Sequence, residues 1–371
     1  MIFDCHKVDE LIFQTMRELD YQKFLTPINF TEENSRFLEQ YNSGFCYNPK
    51  YKYNCFNPDT TCFAHEALNV KIDQPELLNV SETILHKRLI EAQNEILMYS
   101  SIGQHDFSKY AVAVNGKPNL KYYDYALDVL RMDDDYHNLT QDCYTPQDMK
   151  QVLENRINEY GFLWDVIISE SMAAKVSVEP DAKTIFINSK KTFNSRDVIR
   201  LIVHEIDTHV LRAENGLRRD YKVYTIGTSR SLLCEEGLAI YNELSNDVLN
   251  LKTLKIYAAR FLCCIHIDKS FFELFDMLIK LGCSYEVALY VVSRIKRGLS
   301  DTALSGGYIK DYVYLQGFKE IEDVLTQDFS IKEKLYYGAI ALDDLPLLND
   351  DIVAALNNHS IILPKSSKII N

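Results

Sequence analysis

The stretch LIVHEIDTHVL, residues 201–211, holds two histidines, a glutamate and an aspartate: His204, Glu205, Asp207 and His209. Two imidazoles beside carboxylates can bind a metal. The usual helical form is H-E-x-x-H, with the histidines four residues apart. Here they are five apart. On a regular α-helix each residue turns about 100°, so residues four apart diverge by about 40° and residues five apart by about 140°. The first pair can share one ion and the second cannot. Three readings follow: the histidines are unrelated, the helix breaks between them, or it holds a π-bulge, which is rare overall but frequent at functional sites. Val198, Leu201 and Ile202 put an apolar face just before His204, which favours the bulge.

A third ligand should come from another element, and a carboxylate is a common choice in hydrolytic zinc sites. Residues 229–245, SRSLLCEEGLAIYNELS, read as a capped amphipathic helix with Leu232, Leu233, Glu236 and Ile240 on one side. A carboxylate on an apolar face is costly unless it is paired or holds a cation. Gly237 in mid-helix costs about 1 kcal/mol against alanine, which makes sense if another backbone must approach closely. Glu235 lies about 100° round the helix from Glu236 and is the weaker ligand candidate, better suited to support one. Asp207 can orient His204 or His209, or be a plain surface aspartate.

The motif helix must be positioned by its neighbours. In AAKVSVEPDAKTIFIN, 173–188, Val176 and Val178 alternate with polar residues, Pro180-Asp181-Ala182 turns, and Ile185 and Ile187 alternate again, the pattern of a β-hairpin. Asn194 or Ser195 then caps the motif helix, which should end near Gly216. A hairpin before a metal-binding helix is an arrangement in which a strand edge can take up an extended peptide. Two further helices are expected, at 81–99 with Ser81 as cap and at 145–160. Residues 1–75 are irregular by pattern. Their stretch YNSGFCYNPKYKYNCFNPDT reads as an ordered loop whose aromatics pack.

With 371 residues, 47% hydrophobic, the chain can bury a large core. Its net charge of −13 argues against a nucleic-acid binder, which needs a basic face. Apolar runs fall far short of the roughly 20 residues that span a bilayer, and the start lacks the basic-then-apolar pattern of a signal peptide. Nine cysteines without a ligand or disulfide spacing read as buried, reduced thiols, and the expected location is cytoplasmic. Apart from the motif pair, His65, His86, His105, His137, His266 and His359 lack ligand spacing.

HEIDTH followed by EEGLAIYNE resembles the H-E-x-x-x-H plus E-G-L-A signature of a metallopeptidase family. That family contains the eukaryotic microtubule-associated tyrosine carboxypeptidases, which remove the terminal tyrosine of α-tubulin, and the bacterial QEGLA-motif proteins. RIKRGLSDTALSGGYIKDYVYLQGF, 294–318, is similar to the family's C-terminal block. Glu235 stands where the bacterial motif has glutamine. The resemblance implies His204, His209 and Glu236 as ligands of Zn2+ and Glu205 as general base. Glu205 would take a proton from the attacking water and pass it to the leaving amine. A carboxypeptidase also needs a cation for the terminal carboxylate, for which Arg294, Arg297 and Lys310 are candidates. Each also reads as structural. Tyr308 and Tyr314 can donate to an oxyanion, although with 24 tyrosines core packing competes.

The expected fold is α+β and mainly helical: a zincin-like catalytic core with a small antiparallel sheet and a metal-binding helix pair. Residues 1–75 are expected as an aromatic, Asn-Pro-rich extension packed on the core, and 76–371 as the zinc metallopeptidase domain. The expected function is a zinc metallo-carboxypeptidase that removes a C-terminal, tyrosine-like residue from a peptide or protein. The alternative is a zinc-binding regulatory protein without turnover, against which an intact Glu205 argues. No nucleic-acid or membrane partner is expected. A chain of charge −13 repels the acidic tubulin tail at long range, so tubulin is not expected as substrate.

Overall fold

The computed structural model describes residues 4–71, 78–133, 143–170, 172 and 174–365. His137 lies outside the described residues, as do 1–3 and 72–75 of the N-terminal extension. The fold is α+β and mainly helical. The chain divides into two compact units, Met1–Asp133 with Leu251–Gln316, and Asp134–Asn250 with Gly317–Asn371. Among the described residues no helix is long and apolar enough to cross a membrane.

The first unit is helical. Its longest helix, Val80–Ser100, covers the stretch expected at 81–99, but its cap is Asn79 in place of Ser81. Asn79 accepts from the Glu82 amide while the Glu82 side chain accepts from the Asn79 amide, a reciprocal pair that satisfies two otherwise orphaned donors. Ser81 lies inside the first turn and cannot do this. The N-terminal residues read as irregular form helices at Cys5–Glu18, Tyr21–Leu25, Phe30–Asn42 and Cys62–Asn69. The loop expected at 41–60 is confined to 43–57, where Tyr51 and Phe56 are buried, the Tyr51 hydroxyl donates to Asn34 at 2.6 Å, and Lys50 bridges to Asp301. All nine cysteines are free thiols, but Cys46, Cys55, Cys62 and Cys143 are exposed. That departs from the expected burial, because the first three sit on or beside this surface loop.

The second unit holds a three-stranded sheet in the order β1-β3-β2. The strands β2 (Val176–Glu179) and β3 (Thr184–Asn188) form the expected hairpin, with Val176 opposite Ile187 and Val178 opposite Ile185. The sheet is nevertheless mixed. A third strand, β1 (Asp165–Ser169), runs parallel to β3 on its other side. Its run Val166-Ile167-Ile168 is β-branched but too short to announce a strand by alternation. The pairing is settled by helix Pro146–Tyr160, which packs over β1 and β3. That helix begins at Pro146, capped by Thr145. Ile185 and Ile187 on the central strand are fully buried, each worth about 1.5–3 kcal/mol relative to exposure.

Candidate metal centre

The chain enters the motif helix through Asn194, whose side chain accepts from the Asp197 amide at 2.8 Å. A cap of this kind is worth about 1 kcal/mol. Helical geometry is α over Ser195–Leu201, π over Ile202–Val210, and α again over Leu211–Gly216. Closure of i to i+5 brings residues five apart to one side of the helix, which the expected bulge required. The Thr208 hydroxyl donates to the Val203 carbonyl five residues back, at 2.9 Å. As a result the imidazoles of His204 and His209 face each other, with ring centroids 4.9 Å apart and planes at 77°.

One potential ligand atom from each of His204, Glu205 and His209 lies within 4.8 Å of the others. Glu236, the expected third ligand, is not in that group of three; it comes in from helix Ser231–Ser245, which packs along the π segment, and its Oε2 lies 3.7 Å from Nε2 of His204. Both histidines are held from behind. Nδ1 of His204 donates to Glu243 at 2.7 Å and Nδ1 of His209 donates to Glu235 at 2.8 Å. Carboxylates on Nδ1 fix the proton there and leave Nε2 of each ring as the donor to an ion. The residues present therefore fit a divalent metal of the kind that accepts imidazole nitrogen and carboxylate oxygen.

The carboxylates around the two imidazoles favour their protonated forms. Burial works against a charged His204, but hydrogen bonds to Glu236 and Glu243 outweigh it and push the imidazole up to about 10. His209 is raised in the same way: burial opposes, and Glu235 prevails. Burial raises Glu205, although the two imidazoles pull it back. Among the described residues no second cluster of histidine, cysteine and acidic groups of this kind occurs.

The sequence profile of the microtubule-associated tyrosine carboxypeptidases matches residues 35–366. The chain belongs to this family. Microtubule-associated tyrosine carboxypeptidase 1 of Rattus norvegicus is 31% identical over 210 residues, which cover 53% of this chain and 43% of the rat protein. The chain thus matches less than half the length of that curated relative.

Several family-signature residues have clear structural duties. A Cβ on Gly237 would lie 2.3 Å from the backbone of Gly317, and one on Gly317 would lie 2.1 Å from the Leu233 carbonyl. Two backbones meet there, and the glycine of EEGLA and that of YLQGF answer each other. The Glu236 helix begins after Arg230, which has positive φ and makes no side-chain cap bond, so the expected cap is absent. Asp207 neither orients the histidines nor sits on the surface. It is buried, and accepts from Arg156 at 3.0 and 2.8 Å and from Tyr160 at 2.8 Å.

Sequence reasoning anticipated Glu235 as a supporting partner but missed Glu243, Arg200 and Arg212. Glu243 follows Glu236 by seven residues, about two helical turns, so periodicity alone puts both on one face. Arg200 donates to Glu243 at 3.1 Å, and Arg212 donates to Glu235.

The remaining candidates belong to the first unit. Arg294 is engaged by Asp311 through two hydrogen bonds, at 2.5 and 2.9 Å. Arg297 contacts the Tyr21 hydroxyl, and its Nε is buried without a hydrogen-bond partner. Lys310 lies over the Tyr21 ring at 5.9 Å. Tyr308 is buried against Tyr21 and Phe107. Tyr314 stacks on Tyr257 at 4.8 Å.

Proposed function

We propose that this chain is a zinc-dependent carboxypeptidase that removes a C-terminal aromatic, tyrosine-like residue from a peptide or protein. The observation that carries the reading is the π segment, which turns His204 and His209 toward each other while Glu243 and Glu235 hold their Nδ1 atoms. His204, His209 and Glu236 would hold the zinc. When bound, zinc supplies a Lewis acid that lowers the pKa of water and polarises a carbonyl.

Glu205 is the general base. It belongs to the same cluster as the two imidazoles, from which it accepts a proton from water and passes it to the leaving amine. β2 is an edge strand packed against the π segment, and an extended peptide can add to such an edge. The three cations proposed for the terminal carboxylate, Arg294, Arg297 and Lys310, all belong to the first unit, and Arg294 is already engaged by Asp311. The charge of −13 favours neutral or basic peptide tails over strongly acidic ones.

The test combines metal analysis with a peptide-library digest read by mass spectrometry. Wild type should bind one zinc and release C-terminal residues. Glu205→Gln should keep the zinc and lose at least about a hundredfold in turnover. Absence of zinc from wild type after titration would remove the reading. Equal turnover by the variant would return Glu205 to a structural role.

A further inference from the structure

His209 can present Nε2 to an ion only while its ring is kept from rotating and its proton stays on Nδ1. Glu235 does this through one oxygen, Oε1, at 2.8 Å. A glutamate side chain has three torsions of its own, so the carboxylate must itself be held. Its other oxygen accepts from Nη1 of Arg212. Arg212 is completely buried. Its Nε donates to the carbonyls of Leu335 at 2.9 Å and Gly338 at 3.1 Å, and its Nη2 to that of Ile340 at 2.8 Å, with the Cys234 sulfur 3.6 Å away. The planar five-donor fork is thus divided between one backbone turn and one carboxylate. A lysine, with three donors on a single atom, cannot span both.

The support behind His204 is built differently. There one oxygen of Glu243 takes both His204 and Arg200, and its other oxygen is buried without a hydrogen-bond partner. Of these two carboxylates, Glu235 is the one gripped on opposite oxygens.

We infer that Arg212 is a positioning residue of the metal centre: held by the Leu335–Ile340 turn, it aims Glu235 at Nδ1 of His209. This rests on the reading of His204 and His209 as ligands. An ordinary buried salt bridge would stabilise the fold without governing the imidazole. Arg212 in this role governs the proton position and ring angle of one histidine and leaves the other alone. In this chain, where Arg212 is fixed by three carbonyls, the glutamine that the bacterial motif carries at this position would serve only one of the two donors: its single oxygen meets either His209 or Arg212, and its amide hydrogens face the other.

The test uses full-length protein labelled with 15N-histidine. Three quantities are read for wild type, Arg212→Lys and Glu235→Gln: zinc affinity by chelator competition, the Nδ1–H resonances of both histidines without metal, and the melting temperature. Both variants should lose about tenfold or more in zinc affinity, the range set by partners of metal-bound histidines. The His209 signal should move or exchange away while that of His204 stays. Unchanged affinity and unchanged His209 signal, with only a lower melting temperature, would reduce Arg212 to a structural role. If Arg212→Lys does not fold, the isosteric Glu235→Gln decides by the same two outcomes. If wild type takes up no zinc, the carboxypeptidase reading fails separately, and the metal-free His209 signal still decides the inference.

Discussion

Asp311 and Glu243 are both buried carboxylates whose value depends on who faces them. Burial pushes the Asp311 carboxyl up, but Arg294 and Arg260 outweigh it and hold the group well below the usual carboxylate range. A folded-state pKa below the unfolded value stabilises the protein at every pH above about 3.9. That contribution is lost as pH falls through the lower folded-state value. Asp311→Asn leaves the buried Arg260 and the partly buried Arg294 short of a partner and should destabilise by about 3 kcal/mol near neutral pH. In urea titrations the gap to wild type should shrink once pH drops below about 3.9. A gap that does not change with pH would mean that Asp311 acts through shape alone. Periodicity puts Glu243 on the face of Glu236 but does not say what that face meets. The partner of Glu243, His204, is 39 positions away, and no local pattern states which of two helix faces will meet.

At the scale of the element, the five-residue histidine gap forced a choice that the chain resolves with a π segment nine residues long, Ile202–Val210. Neighbours keep it in place. Thr208 bonds back to Val203 and accepts from Asn242, which also donates to Tyr336, whose hydroxyl donates to the Asp207 carbonyl. Deleting Thr208 restores four-residue spacing and a regular helix in principle. It also removes this network and rotates everything from His209 onward by about 100°. The deletion variant should remain helical by circular dichroism yet lose at least about tenfold in zinc affinity, comparable to loss of a supporting partner. Retention of full affinity would mean that two histidines on one face suffice. The hairpin and the Asn194 cap were readable because their signals are local, whereas two residues decide between Ser81, the expected cap, and Asn79, the actual one. β1 was not, since its parallel pairing with β3 depends on what covers it.

For the whole molecule, zinc that binds the folded chain alone adds stability by mass action. At free zinc of about a hundred times Kd the gain is about 2.7 kcal/mol. Unfolding midpoints should therefore rise with added zinc and return on chelation, while Glu236→Gln shows a smaller rise at equal zinc. An identical rise in the variant would take Glu236 out of the ligand set. Contacts group Leu251–Gln316 with Met1–Asp133, and Gly317–Asn371 with Asp134–Asn250. Composition marks the aromatic, Asn-Pro-rich start, but such a grouping arises from pairings far apart in the chain, which composition does not carry.

By itself the sequence determined a pair of histidines set among carboxylates, an expected π-type turn between His204 and His209, the hairpin before them and a reason for a close approach at Gly237. Each follows from a short-range constraint: helical angle, strand alternation, or the cost of a glycine within a helix. Only the tertiary structure decided that Asp207 turns away to Arg156, that Glu243 and Glu235 hold the two imidazoles, and that Arg212 is anchored by carbonyls more than a hundred residues downstream. Those assignments depend on which buried charges meet. That is settled by the packing of whole elements, since a charged group taken out of water must find its partner wherever the fold brings one.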